Sequence, residues 1–123
     1  MVLVKNGKVI YVSEAPGIAP YVQAIQSLSN SIRDAALADK IAGRAAALLS
    51  VYARIRVAYA ETISEGAIEI FAAHSIPCKY GKRVPMILNR NMDSQCPFER
   101  MVSNTRNPEE AFLRLARTIS VTR

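Results

Sequence analysis

Charged or thiol side chains mark three predicted helix starts in this 123-residue chain, at Asp39-Lys40, Glu61 to Glu65 and Cys96-Pro97. A helix start offers free backbone N–H groups and the positive end of the helix dipole, so it can bind an anion. If the three starts meet at one sheet edge, they form a pocket for a phosphate-bearing molecule. The candidate ligand-binding residues are Asp39, Lys40, Gly43, Arg44, Glu61, Ser64, Glu65, Cys96 and Glu99.

The first of these segments offers positive charge and one position without a side chain. Lys40 and Arg44 stand four residues apart and would share one helix face. Gly43 between them would let a ligand or another backbone approach closely, because it has no side chain. A simpler interpretation stays open, in which Asp39 only caps a helix and Gly43 only makes a close helix-to-strand contact.

The third segment contains the one candidate catalytic residue, Cys96. A helix N-terminus favours the thiolate, which is the nucleophilic form of cysteine. The structural alternative is a small residue tolerated at a helix cap. Glu99 follows one turn later, where it could cap the helix or pair with Arg90 or Arg100.

Composition excludes several classes of protein. Half of the residues are apolar and 21% are charged, which is typical of one globular domain covering residues 1–123. No metal site and no cofactor is predicted, since His74 is the single histidine and no CxxC or HxE spacing occurs. The chain has no apolar run of the roughly 20 residues that cross a bilayer and no signal peptide at its start, which predicts a soluble cytoplasmic protein without a membrane partner.

The positive charge is uneven. Sixteen Lys and Arg against ten Asp and Glu give +6. From Lys79 to Arg123 nine bases stand against four acids, which leaves +5 there. A basic half suits a phosphate-bearing small molecule or a nucleic acid backbone, or it is simply a solvated surface. Base stacking has little support, because only Tyr80, Phe98 and Phe112 are aromatic in that half.

Hydrophobic periodicity predicts the first elements. Residues 2–12 form a hairpin around Asn6-Gly7, and a short helix continues to about Ser29. Ala35 to Ala38 is an apolar run that predicts a central strand, and Asp39 then caps a helix. The sheet-facing stripe of that helix is Ile41, Ala45, Leu48, Leu49 and Tyr52.

The second half of the chain continues the alternation. A strand is predicted from Arg54 to Ala60, and Thr62 with Glu65 forms a capping box for a helix that ends near Ser75. A strand follows over Cys78 to Tyr80, then a turn from Gly81 to Pro85 and an extended piece through Leu88. After a polar connection from Asn89 to Gln95, two helices begin at Cys96-Pro97 and Asn107-Pro108, the last with a buried stripe of Ala111, Phe112, Leu115 and Ile119.

Strands that alternate with helices predict right-handed crossovers and a three-layer α/β/α sandwich with a mixed sheet. In open sheets of this kind, ligands bind outside the carboxyl ends of the strands. The candidate pocket is expected there.

An ordered set of motifs resembles a family of small prokaryotic proteins, domain of unknown function 1893. The matching segments are 38–47 (ADKIAGRAAA), 59–61 with 63–65, 80–82 with 84–85, Asn89-Arg90 and Cys96-Pro97-Phe98-Glu99. The resemblance covers about residues 1–118. It implies a cytidine-deaminase-like fold, the same sandwich as the periodicity predicts.

The resemblance carries no reaction with it. True deaminases hold zinc with a His or Cys and two further cysteines, beside a proton-shuttling Glu. Here the two positions read Ala38-Asp39-Lys40 and Cys96-Pro97-Phe98-Glu99, so the zinc ligands are not in place. Members of the family begin with a further helix before the first strand. Either the start of this chain is trimmed or a partner covers the sheet edge, and a homodimer is expected to do so.

Three functions therefore compete. The leading one is a binding protein for a nucleotide-like anion at the helix-start pocket. The second is a cysteine-dependent enzyme or redox protein that uses Cys96, with Lys40 or Arg44 lowering its pKa. The third is a nucleic-acid-binding protein that acts through the basic second half.

Overall fold

A computed structural model describes residues 1–88 and 95–122, with side chains as far as residue 119. The strands are β1 (Val2–Lys5), β2 (Lys8–Val12), β3 (Ala36–Ala42), β4 (Val57–Ser64) and β5 (Cys78–Val84). The helices are α1 (Ala19–Leu28), α2 (Arg44–Ala53), α3 (Glu65–Ala73), α4 (Pro97–Met101) and α5 (Pro108–Thr122), with a 3₁₀ turn at Ser29–Ile32. The predicted polar connection falls mostly on residues 89–94, outside the described residues.

The five strands form one mixed sheet in the order β2-β1-β3-β4-β5. β1 pairs antiparallel with β2 and β3, whereas β3, β4 and β5 run parallel. The predicted hairpin is confirmed, and Asn6 (φ 54°) and Gly7 (φ 75°) adopt the positive φ angles of its two-residue turn. β2 is an edge strand, and the expected homodimer stays a prediction.

One face of the sheet carries the core. Leu3, Leu37 and Ala58 are opposite one another in register, and all are buried. Their sequence neighbours Ala38 and Tyr59 point to the other face, where Tyr59 is 46% exposed. α2 is buried almost all round and contacts α1, α3 and α5, so the described helices pack on one another as well as on the sheet.

The start of α2 corrects the sequence prediction. β3 continues past Ala38 to Ala42, because its parallel ladder with β4 runs on to the pair Ala42–Ile63. Asp39 is therefore a strand residue and not a helix cap, and Lys40 does not share a helix face with Arg44. Ile41 is 54% exposed on the strand, so the buried stripe of α2 begins at Ala45 instead.

The boundaries of the next elements also differ from the prediction. Arg54 ends α2 in the left-handed conformation (φ 60°), and β4 begins only at Val57. Thr62 lies inside β4, so the capping box with Glu65 is wrong. The true cap is Ser64, whose Oγ accepts a hydrogen bond from the Ala67 N–H at 3.1 Å.

The third parallel strand is longer than predicted. β5 continues through Gly81 to Val84, opposite Ser64 of β4, where the sequence predicts a turn. Gly81 allows a close approach between the strands, since a Cβ there would lie 3.0 Å from the carbonyl oxygen of Glu61. Of the extended piece predicted through Leu88, the structure has only an isolated antiparallel bridge between Leu88 and Gln95.

The last two helices begin where the sequence predicts. Cys96 is the N-cap of α4, and Asn107 caps α5 by accepting the Glu110 N–H at 3.0 Å through Oδ1. Ala111, Leu115 and Ile119 are buried as expected. Phe112 is half-buried and stacks on Tyr52 of α2 with a centroid distance of 4.4 Å.

A buried hydroxyl pair between α1 and α2 leads to a prediction. The Tyr21 hydroxyl lies 2.7 Å from Ser50 Oγ, which itself donates to the Ala46 carbonyl at 2.8 Å. Tyr21→Phe leaves that second bond intact and should cost about 1 kcal/mol of unfolding free energy. Ser50→Ala strands a buried tyrosine hydroxyl and should cost more, about 2 kcal/mol. Urea unfolding of both variants measures the difference, and an equal or reversed order would contradict this account.

Candidate functional site

The start of α2 binds a carboxylate. Both oxygens of Glu99 accept backbone N–H groups there, Oε1 from Arg44 at 2.6 Å and Oε2 from Ala45 at 2.7 Å. Glu99 lies on α4, 55 residues along the chain from Arg44. It therefore does the work of a helix cap, and the negative charge suits the positive end of the helix dipole.

Gly43 makes room for that carboxylate. It is the N-cap residue of α2 and has extended backbone angles. A Cβ added to Gly43 would fall on the carboxylate atoms of Glu99, so any side chain at this position excludes Glu99 from its place. Gly43 thus serves a close approach, as the sequence suggests, but the group that approaches is a side chain of the same chain.

The Arg44 side chain turns away from the sheet edge toward the segment after α4. Its Nε donates to the Val102 carbonyl at 3.0 Å, and its Nη2 donates to the Thr105 carbonyl at 2.6 Å. Arg44 and Glu99 together tie the start of α2 to the segment 99–105. We call Gly43, Arg44 and Glu99 the α2 clasp.

Burial raises the pKa of the Glu99 carboxyl above its ordinary value. The N–H groups of Ala45 and Arg44 and the charge of the Arg44 guanidinium oppose this effect, because they stabilise the ionised form. The clasp therefore contains a desolvated carboxylate whose charge is only partly compensated by these groups.

The stability contributed by Glu99 is expected to fall as the pH rises. A raised folded-state pKa means that the folded protein holds the proton more tightly than the unfolded chain, so this contribution is complete below the ordinary pKa and is lost as the pH passes the folded-state value. Chemical denaturation between about pH 4 and pH 8 should show wild type losing stability relative to Glu99→Gln. The exposed Glu69→Gln serves as control, and a relative stability that climbs with pH would refute the assignment.

The start of α3 lies beside the start of α2. A Cβ on Gly66 would come 3.8 Å from the Arg44 Cβ and 4.0 Å from Ser64 Oγ. Ser64 is buried and caps the helix, while Glu65 is exposed and forms a loose ion pair with Arg83 of β5 at 3.6 Å. The structure thus brings the starts of α2 and α3 together, and Glu99 from the first turn of α4 reaches the same place.

Asp39 and Lys40 point to different surroundings. Asp39 Oδ1 accepts the Lys40 N–H at 2.8 Å and lies 3.8 Å from the α-amino group of Met1. Burial raises the pKa of the Asp39 carboxyl, against the opposing effects of the Lys40 N–H and the Met1 charge. Lys40 is exposed, and its ammonium bonds to none of the described side chains.

The remaining candidates are less closely connected. Cys96 is half-buried, and its backbone N–H donates to the Ile87 carbonyl at 2.9 Å. The Arg44 guanidinium, expected to activate this thiol, is committed to the carbonyls of Val102 and Thr105. Glu61 is exposed on β4, and within the described ranges its side chain makes no ion pair.

Sequence reasoning missed two parts of this region. Val102 and Thr105 bind Arg44 only through backbone carbonyls, which leave no mark on residue type. Lys82 and Arg83 are exposed on β5 near the same edge, but the predicted turn removed them from the sheet.

Two features are absent from the described part of the chain. No group of three or more His, Cys, Asp or Glu side chains there is arranged to hold a metal ion. No helix in residues 1–88 or 95–122 combines the length and the apolar character needed to span a membrane.

The five-stranded mixed sheet with its helices and the α2 clasp define an α/β protein. Residues 1–119 match the model of the family described as domain of unknown function (DUF1893), and the chain belongs to that family. Its structure is similar to the crystal structure of a DUF1893 family protein from Thermotoga maritima, with a TM-score of 0.86 and 26% sequence identity. The match covers 95% of this chain and 79% of the other. No curated protein matches the sequence. The family has no established function.

Proposed function

We propose that this protein binds a nucleotide-like, phosphate-bearing small molecule at the carboxyl ends of β3 and β4. The observation that carries this proposal is the α2 clasp, in which two backbone N–H groups hold a carboxylate at 2.6 and 2.7 Å. An oxyanion-binding helix start is therefore already built at this edge. The start of α3 stands next to it and has no internal carboxylate bound in the same way among the described residues.

The ligand would use the groups that the clasp leaves free. The exposed ammonium of Lys40 supplies charge, and the first N–H groups of α3, at Glu65 and Gly66, supply hydrogen bonds to phosphate oxygens. Arg83 pairs only loosely with Glu65, because both side chains are 55% exposed, so it is able to turn to a phosphate. Gly43, Arg44 and Glu99 are positioning residues in this proposal, since they fix the start of α2.

The fold that we propose is consistent with binding of a nucleotide-like molecule. We infer that the fold is the cytidine-deaminase-like three-layer sandwich, in which nucleotide chemistry occurs at the same sheet edge in other proteins. Support comes from the strand order, the three parallel strands and the consecutive crossovers through α2 and α3. A three-layer arrangement also requires a cover for the face that carries Tyr59, since parallel strands are ordinarily covered on both faces.

Thermal-shift and calorimetric titration with nucleoside monophosphates, diphosphates and sugar nucleotides tests the proposal. We expect at least one of these classes to bind, and Lys40→Ala to weaken it about tenfold, the effect of one charge-assisted hydrogen bond. Lys8→Ala is the matched control, because Lys8 is an exposed strand lysine at the other end of the sheet. If no nucleotide binds, or if Lys40→Ala and Lys8→Ala behave alike, the proposal is wrong.

A further inference from the structure

A cavity of about 500 Å³ lies at the end of the sheet opposite to Lys40. It is formed where α1 and α2 end and where the chain turns toward the first residues of β3 and β4, and α5 closes one side. Its volume falls within the roughly 300–1,000 Å³ of small-molecule sites. None of the nine candidate residues from the sequence analysis lines it.

Two arginines give this cavity positive charge. Arg33 and Arg54 both line it and are exposed, and neither guanidinium forms an ion pair or a side-chain hydrogen bond with a described residue. The segments that carry them are held together, because the Asp34 N–H donates to the Arg54 carbonyl at 2.9 Å. Two guanidiniums on linked backbone segments can bind one oxyanion together.

Arginine near a helix end can also serve only to balance the helix dipole. Some of the last carbonyls at these two helix ends are already bonded by the backbone, however. Ser29 N–H donates to Ile25, and the N–H groups of Arg54 and Ile55 donate to Ser50. Neither guanidinium donates a hydrogen bond to a carbonyl of the described residues, so both are available to a ligand.

An aromatic wall completes the cavity. Tyr52 of α2 and Phe112 of α5 stack with their planes 8° apart, and both line the cavity. Tyr52 is 37% exposed, although a tyrosine in a helix interface is ordinarily more deeply buried. The polar side chains of Gln26 and Asn30 stand on the rim and offer amide groups to ring substituents.

We propose that this cavity binds a small planar aromatic acid, with its ring against Tyr52 and Phe112 and its oxyanion between Arg33 and Arg54. The ring adds apolar and stacking contact, while the guanidiniums hold the carboxylate or phosphate group. The site is separate from the proposed nucleotide edge and does not depend on it.

Titration with phenyl phosphate, followed by NMR of the arginine Nε–H groups and the aromatic rings, tests this proposal. We expect resonances of Arg33, Arg54, Tyr52 and Phe112 to move on one binding curve. Inorganic phosphate lacks the ring and benzyl alcohol lacks the charge, so each should bind at least about tenfold more weakly. Comparing phenyl phosphate with benzoate tells whether the site prefers phosphate or carboxylate.

Variants distinguish binding of phenyl phosphate in this cavity from non-specific attraction of an anion to a positively charged protein. The double variant R33Q/R54Q should weaken phenyl phosphate about tenfold or more, while R106Q/K8Q removes the same charge elsewhere and should leave binding unchanged. Tyr52→Leu keeps an apolar side chain and should also weaken binding. Equal affinity for R33Q/R54Q and R106Q/K8Q, or saturation without movement of the Tyr52 ring, would overturn the proposal. Lys40→Ala should have no effect here, which separates a failure of this site from a failure of the nucleotide edge.

Discussion

Gly43→Ala is expected to destabilise the protein by about 2–4 kcal/mol, the cost of a buried carboxylate that loses its hydrogen bonds. The backbone of Gly43 is extended and would accept alanine without strain. The added methyl group, however, would occupy the position of the Glu99 carboxylate. Displacing it would leave the N–H groups of Arg44 and Ala45 unpaired as well. Urea unfolding monitored by circular dichroism measures the loss.

A double-mutant cycle shows whether the cost arises at Glu99. Once Glu99→Ala has removed the carboxylate, adding Gly43→Ala should cost little more, so the two effects should be far from additive. Gly66→Ala is the matched control, since its Cβ would have no neighbour closer than 3.8 Å. It should stabilise α3 by up to about 1 kcal/mol. Additive costs for Gly43→Ala and Glu99→Ala would mean that the two residues do not interact.

Arg44→Ala is expected to have the second largest effect, about 2–3 kcal/mol. The guanidinium is the partner of the Val102 and Thr105 carbonyls and partly compensates the charge of Glu99. Its removal would release the segment 99–105 from α2. Arg44→Lys should recover only part of the loss, because an ammonium cannot match the two carbonyls with a planar fork.

Arg100→Ala is the control for the stability lost in Arg44→Ala. Arg100 is an exposed basic residue on α4, in the same region of the chain. Hydrogen exchange on both variants should show faster exchange at Val102 and Thr105 only in Arg44→Ala. If Arg100→Ala costs as much, the bonds from Arg44 are not what holds the segment.

The sequence predicted what local rules determine. The hairpin follows from Asn6 and Gly7, and the starts of α4 and α5 follow from a capping residue before proline. The DUF1893 resemblance, carried by dispersed short motifs, is confirmed. Each of these features depends on residues only a few positions apart, so it can be recognised in a single sequence.

The errors have a common physical cause. The side chain that does the work of a cap for α2 comes from Glu99, far along the chain, so a local rule selects Asp39 instead. The end of α2 was hidden because Arg54, and not a glycine, adopts the left-handed conformation. β3 and β5 were predicted too short because pairing with β4 extends them, and strand pairing has no local signature. The cavity lined by Arg33, Arg54, Tyr52 and Phe112 also depends on packing between elements that are distant in the sequence, so local rules do not predict it.

The central claim is that a phosphate group binds where β3 and β4 end. A ¹⁵N–¹H correlation titration with a nucleoside monophosphate tests it most directly. The claim predicts that the amide signals of Lys40, Glu65 and Gly66 move most, and that Lys40→Ala shifts the binding curve about tenfold while Lys8→Ala does not. Signals that stay fixed at Glu65 and Gly66 while those of Arg33, Arg54 and Tyr52 move would contradict it and would place the nucleotide in the cavity that those three residues line.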